Sequence, residues 1–222
     1  MIAGIRLKFC GLTALVDVEF ADRLGADYLG FILYPQSSRY LALSQFRDMA
    51  SLLPTGRKTV AVVVEPNVAE LEAVMAAGFD RVQLHFRLPV TAEIITQWQD
   101  VVGRERLWLA PKLPPAEAMP PEVVAGTDTI LWDTFHEAGF GGSGLTGDWA
   151  KFNAHQQRWP DPTWILAGGL TPDNVGAALT ASGARFIDVA GGIEAAPGIK
   201  DHAKMKAFVL AVHRARTAPS AE

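Results

Sequence analysis

Short apolar runs alternate with amphipathic segments along almost the whole chain. The unit recurs about every 20 to 30 residues, which is the spacing of strand–helix repeats. Eight such units predict a single-domain (β/α)8 barrel, a TIM barrel, rather than an open sheet. The predicted strands are Arg6–Leu12, Asp27–Leu33, Lys58–Val64, Arg81–Phe86, Arg106–Leu113, Thr129–Thr134, Thr163–Leu170 and Phe186–Ile193. The predicted helices are Ala14–Leu24, Ser44–Leu53, Val68–Ala77, Ala92–Val101, Ala116–Ala125, Asp148–Arg158, Pro172–Ala181 and Ala203–Arg214. We therefore expect a barrel over residues 1–214 and a flexible tail over 215–222.

Composition narrows the classes of partner. The chain has 222 residues, of which 49% are hydrophobic, and a formal net charge of −4. The 20 lysines and arginines form no basic stripe, so neither nucleic acid nor an anionic membrane is an expected partner. We also find no signal peptide and no transmembrane run. The single cysteine cannot form an internal disulfide, which is typical of a reducing compartment, and we expect a cytoplasmic protein.

Three glycine pairs follow apolar runs: Gly141-Gly142 in GFGGSG, Gly168-Gly169 in WILAGGL and Gly191-Gly192 in FIDVAGGI. Glycine at a strand end lets the backbone turn sharply and approach a ligand closely. A helix that begins just after such a turn presents free N–H groups to an anion. Each pair by itself is explained by a tight strand-to-helix turn. Three in succession favour one phosphate site built from neighbouring loops.

Alternation along two strands places polar side chains inside the barrel. Leu7 and Phe9 form the apolar face toward the helices, so Lys8 and Cys10 point inward. The same alternation directs Asp188 of the last strand inward. Because the first and eighth strands are neighbours in a closed barrel, we expect a Lys8–Asp188 ion pair. Either it belongs to the site or it only fills the barrel floor.

Two residues at strand ends are candidates for acid–base chemistry. Cys10 ends the first strand, and a nearby cation such as Lys8 would favour the thiolate that acts as a base. The alternative is a small buried hydrophobic residue. Asp133 ends the sixth strand in ILWDT and is a candidate general acid. The alternative for Asp133 is a helix N-cap or a loop salt bridge.

Two further side chains are candidates for ligand contact. Arg39, in the loop YPQSSRY, could clamp a carboxylate through its planar fork, although an exposed loop arginine is the simpler reading. His85 closes the fourth strand in VQLH and either lines the pocket or has a structural role. No histidine has the paired spacing of a metal site, and we expect no metal.

These motifs occur together in one known family. The chain resembles phosphoribosylanthranilate isomerase, a (β/α)8 enzyme of tryptophan biosynthesis. The resemblance extends over LKFCGLT (7–13), GFILYPQSSRY (30–40), VAVVVEPN (60–67), VQLH (82–85), ILWDT (130–134), GGSGLTGDW (141–149), LAGGLTPDNV (166–175) and IDVAGGIEAAPGIKD (187–201). It implies an Amadori rearrangement of N-(5-phosphoribosyl)anthranilate, an aminoaldose, to 1-(2-carboxyphenylamino)-1-deoxyribulose 5-phosphate, without a cofactor.

The resemblance also implies roles for individual residues. Cys10 corresponds to the general base, Asp133 to the general acid, and Arg39 to the arginine that contacts the anthranilate. Lys8 and His85 are expected beside the substrate. The phosphate is expected on backbone N–H groups of the turns after strands six to eight, at Gly142, Ser143, Gly144, Gly168, Gly169, Gly191 and Gly192.

Three positions depart from the family's usual pattern: Phe86 replaces a small residue, Ala190 replaces a serine, and Leu145 replaces a lysine. We expect these three replacements to affect the shape of the pocket and its contacts with the phosphate. A paralogous (β/α)8 phosphosugar lyase or epimerase with another substrate is therefore the main alternative, followed by a non-catalytic protein that binds a phosphorylated ligand. A monomer is favoured over a homodimer.

Overall fold

The computed structural model describes residues 1–134 and 147–217. Within them, eight parallel strands close into a barrel in chain order, with the last strand paired to the first. The barrel strands are β1 (Arg6–Phe9), β2 (Tyr28–Ile32), β3 (Lys58–Val64), β4 (Arg81–Arg87), β5 (Leu107–Lys112), β6 (Thr129–Trp132), β7 (Thr163–Leu166) and β8 (Phe186–Val189). The predicted TIM barrel is confirmed.

A helix follows each strand and covers the outside of the barrel. The helices are α1 (Leu15–Arg23), α2 (Leu43–Ala50), α3 (Val68–Ala76), α4 (Ala92–Val102), α5 (Pro121–Ala125), α6 (Trp149–Arg158), α7 (Val175–Ser182) and α8 (His202–Thr217). Start signals in the sequence fix several of their first turns. Asn67 caps α3 and Thr91 caps α4 through their side-chain oxygens.

Several observed elements differ in extent from the prediction. The strand β6 stops two residues early, and β7 and β8 stop four residues early: β7, for example, ends at Leu166 rather than Leu170, just before the glycine turn. The helix α5 begins only at Pro121, because Pro120 and Pro121 cannot continue a helix from upstream. The helix α8 runs to Thr217, past the domain boundary predicted at residue 214. Residues 218–222 of the predicted tail lie outside the described residues.

The strands alternate their side chains between two cores. Leu7, Phe9 and the outward residues of β8 pack with the helices, as the sequence predicts. Inside the barrel, Tyr28, Trp108 and Phe186 form an aromatic floor, with ring centroids 5.0 to 5.6 Å apart. This apolar floor excludes water from beneath the polar layer that lies above it.

After β8 the chain forms a structure that the sequence analysis did not predict. A short 3₁₀ helix, Gly191–Ile193, leads into a two-stranded hairpin of β9 (Glu194–Ala196) and β10 (Ile199–Lys200). The hairpin lies against the loop that follows β2, because a Cβ added at Gly198 would lie 2.5 Å from the carbonyl oxygen of Ser38. It therefore reaches across the carboxyl-end rim of the barrel.

Candidate active site

A cavity of about 490 Å³ opens at the carboxyl ends of the barrel strands. In a TIM barrel this end carries the active site. The cavity brings together residues from β1, β4 and β6 with the turns that follow β7 and β8. Of the predicted site residues, those that line it are Cys10, Arg39, His85, Asp133, Gly168, Gly169, Gly191 and Gly192.

One side of the cavity is a polar layer that we call the buried wall: Lys8, Cys10, Gln83, His85 and Asp188. The Lys8 ammonium is fully buried and lies 3.1 Å from the Cys10 sulfur and 3.2 Å from an oxygen of Asp188. It also donates to the Gln83 amide oxygen at 2.8 Å. The predicted Lys8–Asp188 pair is therefore present, and Lys8 lies beneath the cavity rather than lining it.

The electrostatics of the buried wall keep Lys8 charged. Burial acts to lower the pKa of Lys8, but the charges of Asp188 and Cys10 outweigh it, and the net shift is upward. For Cys10, burial raises the thiol pKa and Asp188 adds to the rise, against an opposing effect of Lys8. The thiolate that the sequence led us to expect from Lys8 alone is thus disfavoured in the free site. The net shift of the Cys10 pKa is upward, opposite to that expectation. Sequence could not show this, because it does not reveal how deeply the sulfur is buried.

His85 completes the buried wall as a neutral imidazole. Its Nε2 lies 2.8 Å from the side-chain nitrogen of Gln83, whose amide oxygen accepts the hydrogen bond from Lys8. Burial, helped by the charge of Lys8, lowers the pKa of His85 to about 3. The ring therefore lines the cavity without carrying a charge at neutral pH.

The opposite side, which we call the turn wall, consists of Asp133, Thr134, Gly168 and Gly169. Asp133 is half-buried and directly follows β6, and its carboxylate accepts a hydrogen bond from the Thr134 N–H at 2.8 Å. A side chain at Gly168 is excluded, because φ is +86° and a Cβ would lie 2.1 Å from the Thr134 hydroxyl. The turns after β6 and β7 are thus packed against each other, which places the carboxylate beside the glycine turn.

The glycine pairs after β7 and β8 have the features of an anion site. None of the described residues accepts a hydrogen bond from the N–H of Gly168 or Gly169. At Gly192 a Cβ would lie 1.9 Å from the Leu170 carbonyl oxygen, so these two turns are also in direct contact. The predicted third turn, with Gly142, Ser143 and Gly144, lies outside the described residues, as does Leu145.

Arg39 is neither exposed nor free, contrary to the simpler reading of the sequence. Its guanidinium bonds both oxygens of Glu194 at 2.8 and 2.7 Å, and Lys200 bonds the same carboxylate at 2.8 Å. Burial acts to raise the pKa of Glu194, but the bonds from Arg39 and Lys200 lower it overall. The sequence analysis missed Glu194 and Lys200, although both lie in the quoted segment IDVAGGIEAAPGIKD.

Two of the three departures from the family pattern can be located. Phe86 is buried outside the barrel and packs on Trp98 of α4, with ring centroids 5.2 Å apart. Its expected effect on the pocket's shape is therefore wrong. Ala190 does line the cavity, beside the turn after β8.

The described residues also lack two kinds of feature. No three of their histidine, cysteine and carboxylate side chains lie close enough together to hold a metal ion. None of their helices combines the length and the apolar character required to cross a bilayer.

The comparisons with known proteins agree with this geometry. The family model for N-(5'-phosphoribosyl)anthranilate (PRA) isomerase matches residues 7–211. The chain belongs to this family. An N-(5'-phosphoribosyl)anthranilate isomerase of Ruegeria sp. is 37% identical in sequence, and the alignment covers 95% of this chain and 98% of that isomerase. The structure of phosphoribosyl anthranilate isomerase from Thermus thermophilus superposes with a TM-score of 0.77 at 30% identity, over 94% of this chain and 98% of that one.

Membership in this family makes the protein an isomerase of tryptophan biosynthesis, as the sequence predicted. One solved member, 29% identical with a TM-score of 0.72 and coverage of 92% and 96%, holds reduced 1-(o-carboxyphenylamino)-1-deoxyribulose 5-phosphate. A 3-hexulose-6-phosphate synthase, at 14% identity and a TM-score of 0.65, shares the fold alone. The alternative of a lyase or epimerase gains no support.

Proposed function

We propose that the cavity catalyses the Amadori rearrangement of N-(5-phosphoribosyl)anthranilate, with Cys10 as general base and Asp133 as general acid. The observation that supports this assignment is their placement: both line one cavity, at the ends of β1 and β6. Strands one and six of an eight-stranded barrel are separated on either side by other strands, so the two groups face the sugar from different directions. An acid and a base so placed can act on different atoms of one substrate.

The first step opens the furanose ring. Asp133 donates a proton to the ring oxygen, the bond from that oxygen to C1 breaks, and the lone pair of the anthranilate nitrogen forms a protonated imine with C1. The carboxylate that remains on Asp133 is held by the Thr134 N–H. Such a backbone hydrogen bond stabilises the charge that develops as the proton leaves.

The second step moves the double bond along the sugar. The Cys10 thiolate removes the proton from C2, and the electron pair forms a C1–C2 double bond while the C=N pair of the protonated imine becomes the lone pair on nitrogen. The resulting enol loses the proton of its C2 hydroxyl as C1 takes up a proton, which gives the ketone at C2. The Lys8 ammonium, 3.1 Å from the sulfur, stabilises the thiolate once it forms. Because Lys8 lies beneath the cavity, we assign it to positioning and charge stabilisation rather than to direct contact.

The remaining contacts position the substrate. The N–H groups of Gly168 and Gly169, which no residue in 1–134 or 147–217 accepts, are suited to the phosphate together with the turn at Gly191 and Gly192. Gly142, Ser143 and Gly144 stay predictions for the same role. Arg39 is proposed to face the anthranilate carboxylate while its fork is held by Glu194. His85, which lines the cavity, is proposed to lie beside the sugar.

The assignment is tested by following the loss of substrate fluorescence with purified protein. The wild type is expected to turn over N-(5-phosphoribosyl)anthranilate, whereas Cys10→Ala and Asp133→Asn are expected to lose that activity. Full activity in both variants would refute the assigned roles.

Two expectations remain predictions. The protein is proposed to act in the cytoplasm, and a monomer is favoured, although the phosphoribosylanthranilate isomerase of Thermotoga maritima is described as dimeric. Sedimentation at micromolar concentration distinguishes a monomer from a dimer.

A further inference from the structure

Gln83 joins the two ends of the buried wall. It lies on β4, is only 2% exposed, and takes no part in the proton transfers proposed above. Its amide oxygen accepts a hydrogen bond from Lys8 at 2.8 Å, and its amide nitrogen lies 2.8 Å from Nε2 of His85. One buried amide therefore contacts both the ammonium group beside the base and the imidazole that lines the cavity.

The ammonium group of Lys8 determines which way this amide is turned. An ammonium group has donors and no acceptor, so the atom of Gln83 that faces Lys8 must be the oxygen. The NH2 group of Gln83 therefore faces His85. Because an NH2 group only donates, Nε2 of His85 must present its lone pair, and the proton of the neutral ring is then on Nδ1.

A charged His85 is incompatible with this arrangement. Protonation would place an N–H group on Nε2 directly against the NH2 group of Gln83, and neither group could accept a hydrogen bond from the other. Burial and the charge of Lys8 independently lower the pKa of His85 to about 3. Geometry and electrostatics therefore agree on a neutral ring in one tautomer.

The same amide completes the surroundings of Lys8. An ammonium group has three N–H donors. Lys8 has three acceptors around it: the Gln83 oxygen at 2.8 Å, the Cys10 sulfur at 3.1 Å and an oxygen of Asp188 at 3.2 Å. Gln83 fixes one N–H without adding a negative charge beside the thiol. The ammonium group is thereby held with another N–H directed at the sulfur.

We propose that Gln83 is a positioning residue with two effects. Its oxygen holds the Lys8 ammonium group at the Cys10 sulfur, and its NH2 group holds His85 in the Nδ1–H tautomer. The effect on Cys10 rests on the proposed function, because it matters only where the thiolate is the base. The effect on His85 does not. The competing explanation is that Gln83 only fills the space between the aromatic floor and the cavity.

The tautomer is measured first, on the wild-type protein, so this test needs no variant of Gln83. Proton–nitrogen correlation spectra of histidine-labelled protein distinguish a protonated ring nitrogen from one with a lone pair. The signals that disappear in His85→Asn identify the residue. We expect a protonated Nδ1 and a bare Nε2 between about pH 6 and pH 8, where an ordinary histidine titrates. A proton on Nε2 would overturn the proposal.

The second test is Gln83→Met, which removes both hydrogen bonds and keeps the length of the side chain. His85 should then carry its proton on Nε2 in a substantial fraction of molecules. The ammonium group loses one acceptor and its fixed direction, so the thiol pKa should rise and kcat/KM should fall about tenfold at neutral pH. The other charged groups that act on the sulfur, Asp188, Arg39 and Lys200, are unchanged in this variant.

The pH profile separates positioning from a general structural defect. A raised thiol pKa predicts that the loss of kcat/KM shrinks as pH increases, since the thiolate then forms in both proteins. A structural defect predicts the same loss at every pH. If Gln83→Met does not fold, Gln83→Glu replaces it: the carboxylate still accepts from Lys8 but has no NH2 group, so His85 should again gain a proton on Nε2.

Gln99→Met is the matched control. Gln99 lies on α4 outside the barrel, and its amide nitrogen donates to the Gly126 carbonyl oxygen at 2.8 Å. This variant also loses one amide hydrogen bond, but away from the buried wall. It should retain kcat/KM within about twofold and leave the signals of His85 unchanged.

The outcomes separate the two proposals. Turnover of N-(5-phosphoribosyl)anthranilate by the wild type, with an unchanged His85 tautomer and an unchanged pH profile in Gln83→Met, would overturn the role of Gln83 alone. Absence of turnover by the wild type would overturn the proposed function and the effect on Cys10, whereas the tautomer of His85 would still decide the effect on the imidazole.

Discussion

Cys10 and Asp133 line the same cavity, but the protein holds them in different ways. Cys10 belongs to the buried wall, where a fully buried lysine, an amide and a carboxylate surround it over an aromatic floor. Asp133 is half-buried and is oriented by the backbone N–H of its own neighbour. The base is therefore built into the barrel core, whereas the acid depends on the local geometry of a turn.

This contrast predicts that the two groups respond differently to substitution. Cys10→Ala and Asp133→Asn should each lower kcat/KM by about 10²- to 10⁴-fold, since each removes one partner in proton transfer. Cys10→Ala should in addition lower the unfolding free energy, because it removes a sulfur atom from a packed site. Activity assays and urea unfolding of the two variants check both expectations.

The matched control lies at the other end of the same strand. Asp128 precedes β6 and forms a salt bridge with Arg104, and its side chain is 58% exposed. Asp128→Asn should retain kcat/KM within about twofold, because a solvent-exposed pair contributes little. A comparable loss of kcat/KM in Asp128→Asn would mean that the loss in Asp133→Asn is not specific to the carboxylate in the cavity.

A substitution in the turn wall should affect catalysis through the backbone. Gly168→Ala places a side chain 2.5 Å from the Thr134 nitrogen at a φ of +86°. We expect a loss of about 1–3 kcal/mol in unfolding free energy, together with a rise in KM as the phosphate turn shifts. Thermal unfolding and steady-state kinetics measure the two effects.

Gly176→Ala provides the comparison for that variant. Gly176 lies within α7, and its Cβ would make an ordinary contact at 3.7 Å with Ala215. Alanine should stabilise the helix by about 0.5–1 kcal/mol. If Gly168→Ala were equally harmless, the close packing of the turns after β6 and β7 would not matter for the site.

A third part of the cavity rim is held by the hairpin, through the contact of Glu194 with Arg39 and Lys200. Glu194→Gln should cost about 1.5–3 kcal/mol of unfolding free energy, since it weakens bonds from both Arg39 and Lys200. KM should rise as Arg39 loses its orientation. The exposed Glu19→Gln, which breaks only a 4.0 Å pair with Arg23, should change stability by less than about 0.5 kcal/mol.

The sign of the pH effect follows from the lowered pKa of Glu194. The stability that ionised Glu194 contributes is fully present above the pKa of this group in the unfolded state. It is lost as pH falls through the pKa of the folded state. The wild type should therefore lose more stability than Glu194→Gln on acidification. Parallel acid dependence in both proteins would contradict the assignment.

The smallest expected effect concerns the pH dependence of activity. Because burial raises the pKa of Cys10, the thiolate fraction in the free enzyme still increases above the ordinary cysteine value of about 8.5. The value of kcat/KM should therefore continue to rise with pH in that range. A plateau already at pH 7 would show that the base is ionised in the free site.

The sequence predicted the barrel and most of the site because both rest on local patterns. Alternation along β1 placed Lys8 and Cys10 inside, and the order of the strands paired Lys8 with Asp188. What could not be predicted depends on long-range packing. Gln83 joins Lys8 only because β4 faces β1 across the barrel, and Glu194 finds Arg39 only after the hairpin folds over the rim.

The same limit explains the error in the thiol's expected ionisation. Sequence shows that a lysine lies two residues from Cys10, but not that both are removed from water with a carboxylate beside them. Phe86 is a similar case. Its bulk was assigned to the pocket, whereas the pleat of β4 directs it toward Trp98 of α4.

The pairing of Lys8 with Asp188 joins residues 180 positions apart, from the first and the last strands to enter the barrel. A chain that has not yet formed β8 would leave the lysine without its counterion, and water would replace the dry layer around the sulfur. Catalytic competence should therefore emerge only when the cylinder closes, so the recovery of turnover during refolding would report the final step of assembly rather than an intermediate.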